Sequence, residues 1–280
     1  LFIFGSQIKG SISWFRFSSP VGSLGFEPVE VTKFVLIALL AKYFSSRHID
    51  FGLIRHIFIS GFYVSVPVLL VLLQPDLGSA ILLIVIWIGI MLFSGIRIRH
   101  LLILLLIFAI LTGLSFKFFL KDYQRDRILT FLSPQKDSLG SGYNVLQSII
   151  AIGSGGFFGK GLGHGSQSQL NFLPEQHTDF IFTTIAEEWG FFGVSLVLIL
   201  WSIIFWRLFI TAINSNTNFA RLFIFGFTIL LLTHISINIG MNVGFFPVTG
   251  ISLPLLSYGG SNLIINLATF GIVQSIKINS

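Results

Sequence analysis

Residues 179–211 read DFIFTTIAEEWGFFGVSLVLILWSIIFWRLFIT, and Asp179, Glu187, Glu188 and Arg207 are the only charged side chains among them. A hydrocarbon core about 30 Å thick is crossed by roughly 20 apolar residues in a helix. The stretch therefore reads as a transmembrane helix too long for one straight crossing, and it must tilt, kink near Gly190 or begin in the interfacial layer. Working outward, further apolar runs lie at approximately 31–45, 52–73, 77–95, 99–120, 219–242 and 258–276. Helices that are apolar all round carry no amphipathic period, so these spans are placed by run length and by the polar breaks between them.

Composition supports the same conclusion. With 54% hydrophobic and 10% charged residues and a mean hydropathy of +0.89, the chain would expose far too much apolar surface as a soluble domain. It reads as an all-α polytopic transmembrane helix bundle. The net charge of +6 suits anionic lipid or an anionic substrate; no basic stripe interleaved with aromatics points to nucleic acid. The absence of cysteine removes disulfides and thiolate metal sites. Leu1 to Gly5 read as the tail of an apolar segment, so the expectation is that helices precede the first residue given.

Lys42, Arg47, Arg55, Arg97, Arg99, Arg207, Arg221 and Lys277 fall on one side of the membrane in this layout, which the positive-inside rule makes cytoplasmic. The opposite face then carries residues 6–29, the Gln74-Pro75-Asp76 turn, a large extracytoplasmic loop over 121–178, and residues 243–257. Seven of the eleven acidic residues lie between Asp122 and Glu188, within or beside the large loop. Seven glycines between Gly153 and Gly165 free its backbone for tight turns and close approach. Residues 143–152 read as a short amphipathic helix, re-entrant or interfacial.

Just before the long run, Asn171-Phe-Leu-Pro-Glu-Gln-His-Thr178 places Glu175 and His177 beside Asp179. Charge at a membrane boundary is costly unless solvated or paired, which marks these residues for chemistry or transport. Asp179 can equally cap the helix it opens, because Asp is a favoured N-cap. Glu175 and His177 can orient substrate, hold a divalent cation (Mg or Mn), or hydrogen-bond the loop. Their spacing forms no zinc signature, and a magnesium-like ion held by one carboxylate and substrate phosphates leaves little trace in sequence. Glu30 and Lys33, spaced i,i+3, share a helix face and can pair. Arg125, Arg127 and Lys160 suit phosphate, though such residues also anchor lipid headgroups. Glu187 and Glu188 lie about two turns inside the apolar run, so at least one should face the bundle interior.

Motifs along the whole chain resemble those of the SEDS family of bacterial cell-wall proteins (RodA, FtsW, SpoVE). They include Glu30-x-x-Lys33, Gln74-Pro75-Asp76-Leu77-Gly78-Ser79, Asp122-Tyr123-Gln124-Arg125-x-Arg127, Gly140-x-Gly142-Tyr143, Leu173-Pro174-Glu175-x-His177-Thr178-Asp179, Glu187-Glu188-x-Gly190, Asn238-Ile239-Gly240-Met241, Pro247-Val248-Thr249-Gly250 and Ser257-Tyr258-Gly259-Gly260-Ser261. Ile152-Gly153-Ser154-Gly155-Gly156 and His164-Gly165-Ser166-Gln167-Ser168-Gln169 resemble the RodA branch more than the FtsW branch. Glu27-Pro28-Val29-Glu30 departs from the usual Gln-Pro-Ser-Glu.

The resemblance implies a single SEDS-type transmembrane domain over 1–280, with about seven of the family's ten helices present. It implies an inverting peptidoglycan glycosyltransferase that polymerises lipid II during elongation and cell-shape maintenance, with Asp179 as catalytic base and its active site on the outer face of the bacterial cytoplasmic (inner) membrane. Implied partners are a class B penicillin-binding protein and the elongation machinery. Glu30, Lys33, Arg125, Arg127, Lys160, Glu175 and His177 become candidate substrate-binding residues. A lipid II flippase, a division-type paralogue and a non-catalytic scaffold are the competing readings.

Overall fold

The computed structural model describes residues 6–8, 11–19, 22–46, 54–96, 99–100, 102–103, 106, 141–169, 172–173 and 175–279. Three strands and eight helices are ordered along them as β1 (Ser6–Ile8), β2 (Ser11–Ser19), β3 (Gly22–Phe26), α1 (Pro28–Ser45), α2 (Ile54–Leu73), α3 (Leu77–Phe93), α4 (Ser141–Gly155), α5 (Ser166–Gln169), α6 (Ile181–Ile213), α7 (Asn218–Asn242) and α8 (Gly260–Ile278). The chain clusters into two compact units. One comprises Leu1–Leu101, Phe205–Thr233 and Gly259–Ser280, the other Leu102–Ile204 and His234–Tyr258.

In the first unit, β1, β2 and β3 form an antiparallel sheet in that order, with β2 and β3 in register from Phe15 opposite Phe26 to Ser19 opposite Gly22. The helical fold class stands with this small sheet added. The strands escape a search for long apolar runs because they are short and their apolar residues, Ile12, Trp14, Phe15 and Phe17 in β2, are interrupted by polar ones. Helix α1 follows with Pro28 in its first turn, where a fixed φ and a missing N–H cost nothing. Its buried stripe runs Val29, Glu30, Lys33, Leu36, Ile37, Leu40, Ala41 and Phe44 and packs on α2, α3 and α8. The expected tight turn joins α2 to α3, where Asp76 caps α3 by accepting the Ser79 N–H at 3.0 Å. Glycines set the spacing behind it: a Cβ on Gly89 would stand 2.5 Å from Ile229 Cδ1, and one on Gly226 2.8 Å from Ile90 Cδ1. Small residues at these crossings let α7 approach α1 and α3 closely, as membrane helices require in the absence of a hydrophobic drive between them.

Among the described residues, four helices are long and apolar enough to cross a membrane: Arg55–Leu73, Ile181–Ile213, Asn218–Asn242 and Gly260–Ile278. Helix α3 is apolar but shorter, at 17 residues; α1 carries Glu30, Lys33 and Lys42 within its 18. Most of the expected 99–120 span lies outside the described residues, although Arg99, His100, Leu102, Ile103 and Leu106 are helical.

In the second unit, the expected short helix is α4, and the long run kinks where its glycine sits. Gly190 adopts φ 64° and ψ −157° inside α6. Breaking a helix frees backbone groups that hydrocarbon cannot satisfy. The glycine-rich loop satisfies them by exchange: Lys160 N–H and Gly161 N–H donate to Glu187 O and Glu188 O, each at 3.0 Å. In return, Phe191 N–H and Phe192 N–H donate to Gly156 O and Phe157 O at 2.9 and 3.2 Å. Such backbone-to-backbone contact leaves no room for side chains, since a Cβ on Gly159 would stand 2.1 Å from Glu188 O and one on Gly190 2.3 Å from Gly159 N.

Candidate functional site

Asp179 sits in the turn that delivers the chain into α6. The turn is seated by apolar burial: Leu173 and Phe180 pack with Ala151 of α4 and with Val248, and burying one such large side chain contributes on the order of 1.5–3 kcal/mol. Within it, Glu175 O accepts from Thr178 N–H at 3.2 Å and from Phe180 N–H at 3.1 Å. The Glu175 carboxylate accepts from Thr178 Oγ1 at 2.9 Å, the loop-bonding role anticipated among its alternatives. His177 is exposed, and its carbonyl accepts Tyr258 N–H at 2.9 Å. Ser257 adds a second clasp by donating its hydroxyl to Thr178 O at 2.5 Å while accepting Leu253 N–H at 2.7 Å.

Helix α6 starts at Ile181, and Thr184 N–H donates to Phe180 O at 3.2 Å. Phe180 thus stands at the N-cap and the half-buried Asp179 one residue before it. Two asparagines of α7 hold Asp179 by its main chain: Asn238 Nδ2 and Asn242 Nδ2 donate to Asp179 O at 3.0 and 3.1 Å. Asn238 Nδ2 also donates to Ile251 O at 2.8 Å. Beside the Asp179 side chain lies Gly250, with φ 73° and a Cβ position 3.8 Å from Asp179 Oδ2. Beneath them Thr183 Oγ1 donates to Asn242 Oδ1, and Ser148 Oγ of α4 bonds Thr183 Oγ1 and Asn242 O.

Lys160 lies elsewhere in this unit. Its ammonium is 2.9 Å from Glu187 Oε1 and 2.9 Å from Ser166 Oγ. Glu187, fully buried as the sequence anticipated for one of the pair, also accepts Gln167 N–H at 3.0 Å. Glu188 accepts Gly163 N–H at 3.1 Å. These carboxylates pin the glycine-rich loop to the kink.

Glu30 and Lys33 belong to the first unit and form a buried ion pair, Lys33 Nζ to Glu30 Oε1, at 2.8 Å. At the start of the same helix, Glu27 N–H donates to Ser261 Oγ at 3.1 Å, and Ser261 Oγ donates to Gly25 O at 3.2 Å. Arg125 and Arg127 lie outside the described residues. No three His, Cys, Asp or Glu side chains converge as metal ligands among the described residues.

Asn242, Thr183, Ser148 and the roles of Asn238, Ser257 and Gly250 went unread in sequence. The signal was two asparagines spaced i,i+4 in an apolar helix, which share one face and cannot be buried without partners.

The family model described as cell cycle protein, covering FtsW, RodA and SpoVE, matches residues 1–280. The chain belongs to this family. The peptidoglycan glycosyltransferase MrdB of Escherichia coli K12 is 40% identical over 273 residues, covering 98% of this chain and 72% of MrdB. Among solved structures, a chain from work on the structural coordination of polymerization and crosslinking by a peptidoglycan synthase complex matches with a TM-score of 0.83 at 37% identity, covering 99% of this chain and 76% of that one. The Thermus thermophilus rod shape determining protein RodA matches at 0.69 and 32% identity, over 99% of this chain and 72% of that one. As a member of the FtsW/RodA/SpoVE family, the protein is a multi-pass helical membrane protein.

Proposed function

We propose that this FtsW/RodA/SpoVE-family protein polymerises lipid II into glycan strands on the outer face of the cytoplasmic membrane during cell elongation, with Asp179 as general base. It is a peptidoglycan glycosyltransferase, as its 40% identity to MrdB indicates. The observation that carries the role of Asp179 is its setting: the main chain is fixed by two buried amides, and the carboxylate lies beside the backbone of Gly250.

In the reaction, an acceptor sugar hydroxyl attacks the anomeric carbon that bears the donor's diphosphate. The Asp179 carboxylate takes the hydroxyl proton, the new glycosidic C–O bond forms, and the bond to the diphosphate oxygen breaks. Undecaprenyl diphosphate leaves with the bonding pair. Attack opposite an α-linked leaving group inverts the centre to a β-link. General bases of this kind contribute typically about 10²–10⁴-fold.

Arg125 and Arg127 supply positive charge for the donor diphosphate in this reading, while Glu175 and His177 shape the loop at the acceptor side; Lys33, held by Glu30, is a separate candidate for substrate phosphate. Lys160 acts through structure in this reading, because it ties the glycine-rich loop to Glu187 of α6. A class B penicillin-binding protein crosslinks the strands, a partnership suggested by the likeness to a synthase-complex chain.

The test is purified protein given labelled lipid II, with glycan product and transbilayer movement assayed separately. Asp179→Asn should insert normally and lose polymerisation by about 10²-fold or more, the lower range for a lost general base. A folded Asn variant polymerising near the parent rate would remove Asp179 from catalysis. Lipid II movement without glycan product would put the flippase reading ahead.

A further inference from the structure

We infer that Asn238 and Asn242 are positioning residues for the transfer reaction, setting the place of the Asp179 carboxylate by gripping its main chain. This rests on the reading of Asp179 as general base. Both side chains are 0% exposed, and their spacing puts them on one face of α7. A carbonyl oxygen has two lone pairs, and both of these amides are aimed at the same one, Asp179 O, from 59 and 63 residues away in sequence. Asp179 precedes the start of α6, where the groups left unsatisfied by a helix are N–H donors, so capping the helix does not call for amides on the Asp179 carbonyl.

The amides are themselves fixed. Asn242 Nδ2 donates to Asn238 O at 2.7 Å, its Oδ1 accepts Thr183 Oγ1, and Ser148 Oγ holds its carbonyl at 2.7 Å. Asn238 divides its amide between Asp179 O and Ile251 O, and Ile251 follows Gly250, the residue that adjoins Asp179 Oδ2. One side chain therefore fixes the carboxylate's segment and the backbone facing it. A misplacement of about 1 Å in a reacting group can cost about 10²-fold in rate.

Asn238→Leu and Asn242→Leu approximate the volume and remove the amide donor without adding a group that titrates. Assayed in the full chain with lipid II, each should lower kcat by about 10–100-fold, leave KM near the parent value, and move the acid limb of the kcat–pH profile. Asn266→Ala removes a buried amide that donates to Asn262 O and Oδ1 within α8; it should lower Tm and leave kcat and the pH limb in place. Should the Leu variants fail to fold, Thr183→Val and Ser148→Ala provide a milder series. These strip bonds that orient Asn242 and should lower kcat several-fold at near-parent Tm.

Near-parent kcat in the folded variants at 238 and 242, or in both milder variants, alongside an inactive Asp179→Asn, would overturn the positioning role and leave the general base intact. So would kcat losses that merely track Tm in every variant, Asn266→Ala included. An active Asp179→Asn would overturn the general-base reading itself, and this inference with it.

Discussion

Lys160 Nζ lies 2.9 Å from Glu187 Oε1, a carboxylate with no exposed surface, while the Lys160 side chain is 28% exposed. The pair joins the glycine-rich loop to α6 three residues before the kink at Gly190, where the loop and the helix also exchange four backbone hydrogen bonds. Removing one partner of a buried pair leaves an uncompensated charge, at a cost of about 3–5 kcal/mol. Lys160→Met should therefore lower Tm in detergent sharply, and adding Glu187→Gln should recover most of it. The double variant should then polymerise lipid II with an unchanged KM. A stable double variant with a strongly raised KM would return Lys160 to the phosphate-binding role that its charge suggested.

Gly250 tests how closely the backbone beside the carboxylate may be filled. At φ 73° an L-residue is strained by roughly 1–2 kcal/mol, and an added methyl would sit 3.8 Å from Asp179 Oδ2. Gly250→Ala should lower Tm modestly and reduce kcat by more than that strain explains. Full kcat in a folded Ala variant would show that nothing needs to approach Asp179 from this side.

The Glu30–Lys33 pair is enclosed, with side chains 8% and 3% exposed. Exchanging the two as Glu30→Lys with Lys33→Glu retains the ion pair and moves its positive charge by one helical turn. Folding and insertion should survive, measured by a monodisperse profile on gel filtration. Polymerisation should not, because Lys33 is proposed to meet a substrate phosphate. An exchanged pair with parent activity would make the contact purely structural.

Orientation rests on the Lys and Arg residues of the short connections. The chain has no cysteine, so single cysteines report without background. His164→Cys in the large loop and Asn214→Cys between α6 and α7 are both at exposed positions. An impermeant thiol reagent on intact spheroplasts should label position 164 and leave 214 unmodified. The reverse pattern would invert the topology and move the site to the cytoplasmic face.

The sequence by itself determined the membrane class and the main helices, because a 30 Å apolar slab demands long uncharged runs whatever they pack against. The 52–73, 77–95 and 219–242 readings fall within about two residues of α2, α3 and α7. A run of 33 residues left three readings open, a tilt, a kink near Gly190 or an interfacial start, and the structure shows the kink. The sequence also named Asp179 and the i,i+3 pair of Glu30 and Lys33, whose partnership is local in the chain. The β1–β3 sheet was hidden by its brevity. What only the tertiary structure decided is which distant groups meet: Lys160 with Glu187, Ser257 with Thr178, and Asn238 and Asn242 with the Asp179 carbonyl. Side-chain spacing along one helix shows that two amides share a face. It cannot show which carbonyl they satisfy, because that partner is chosen by the packing of segments some sixty residues apart.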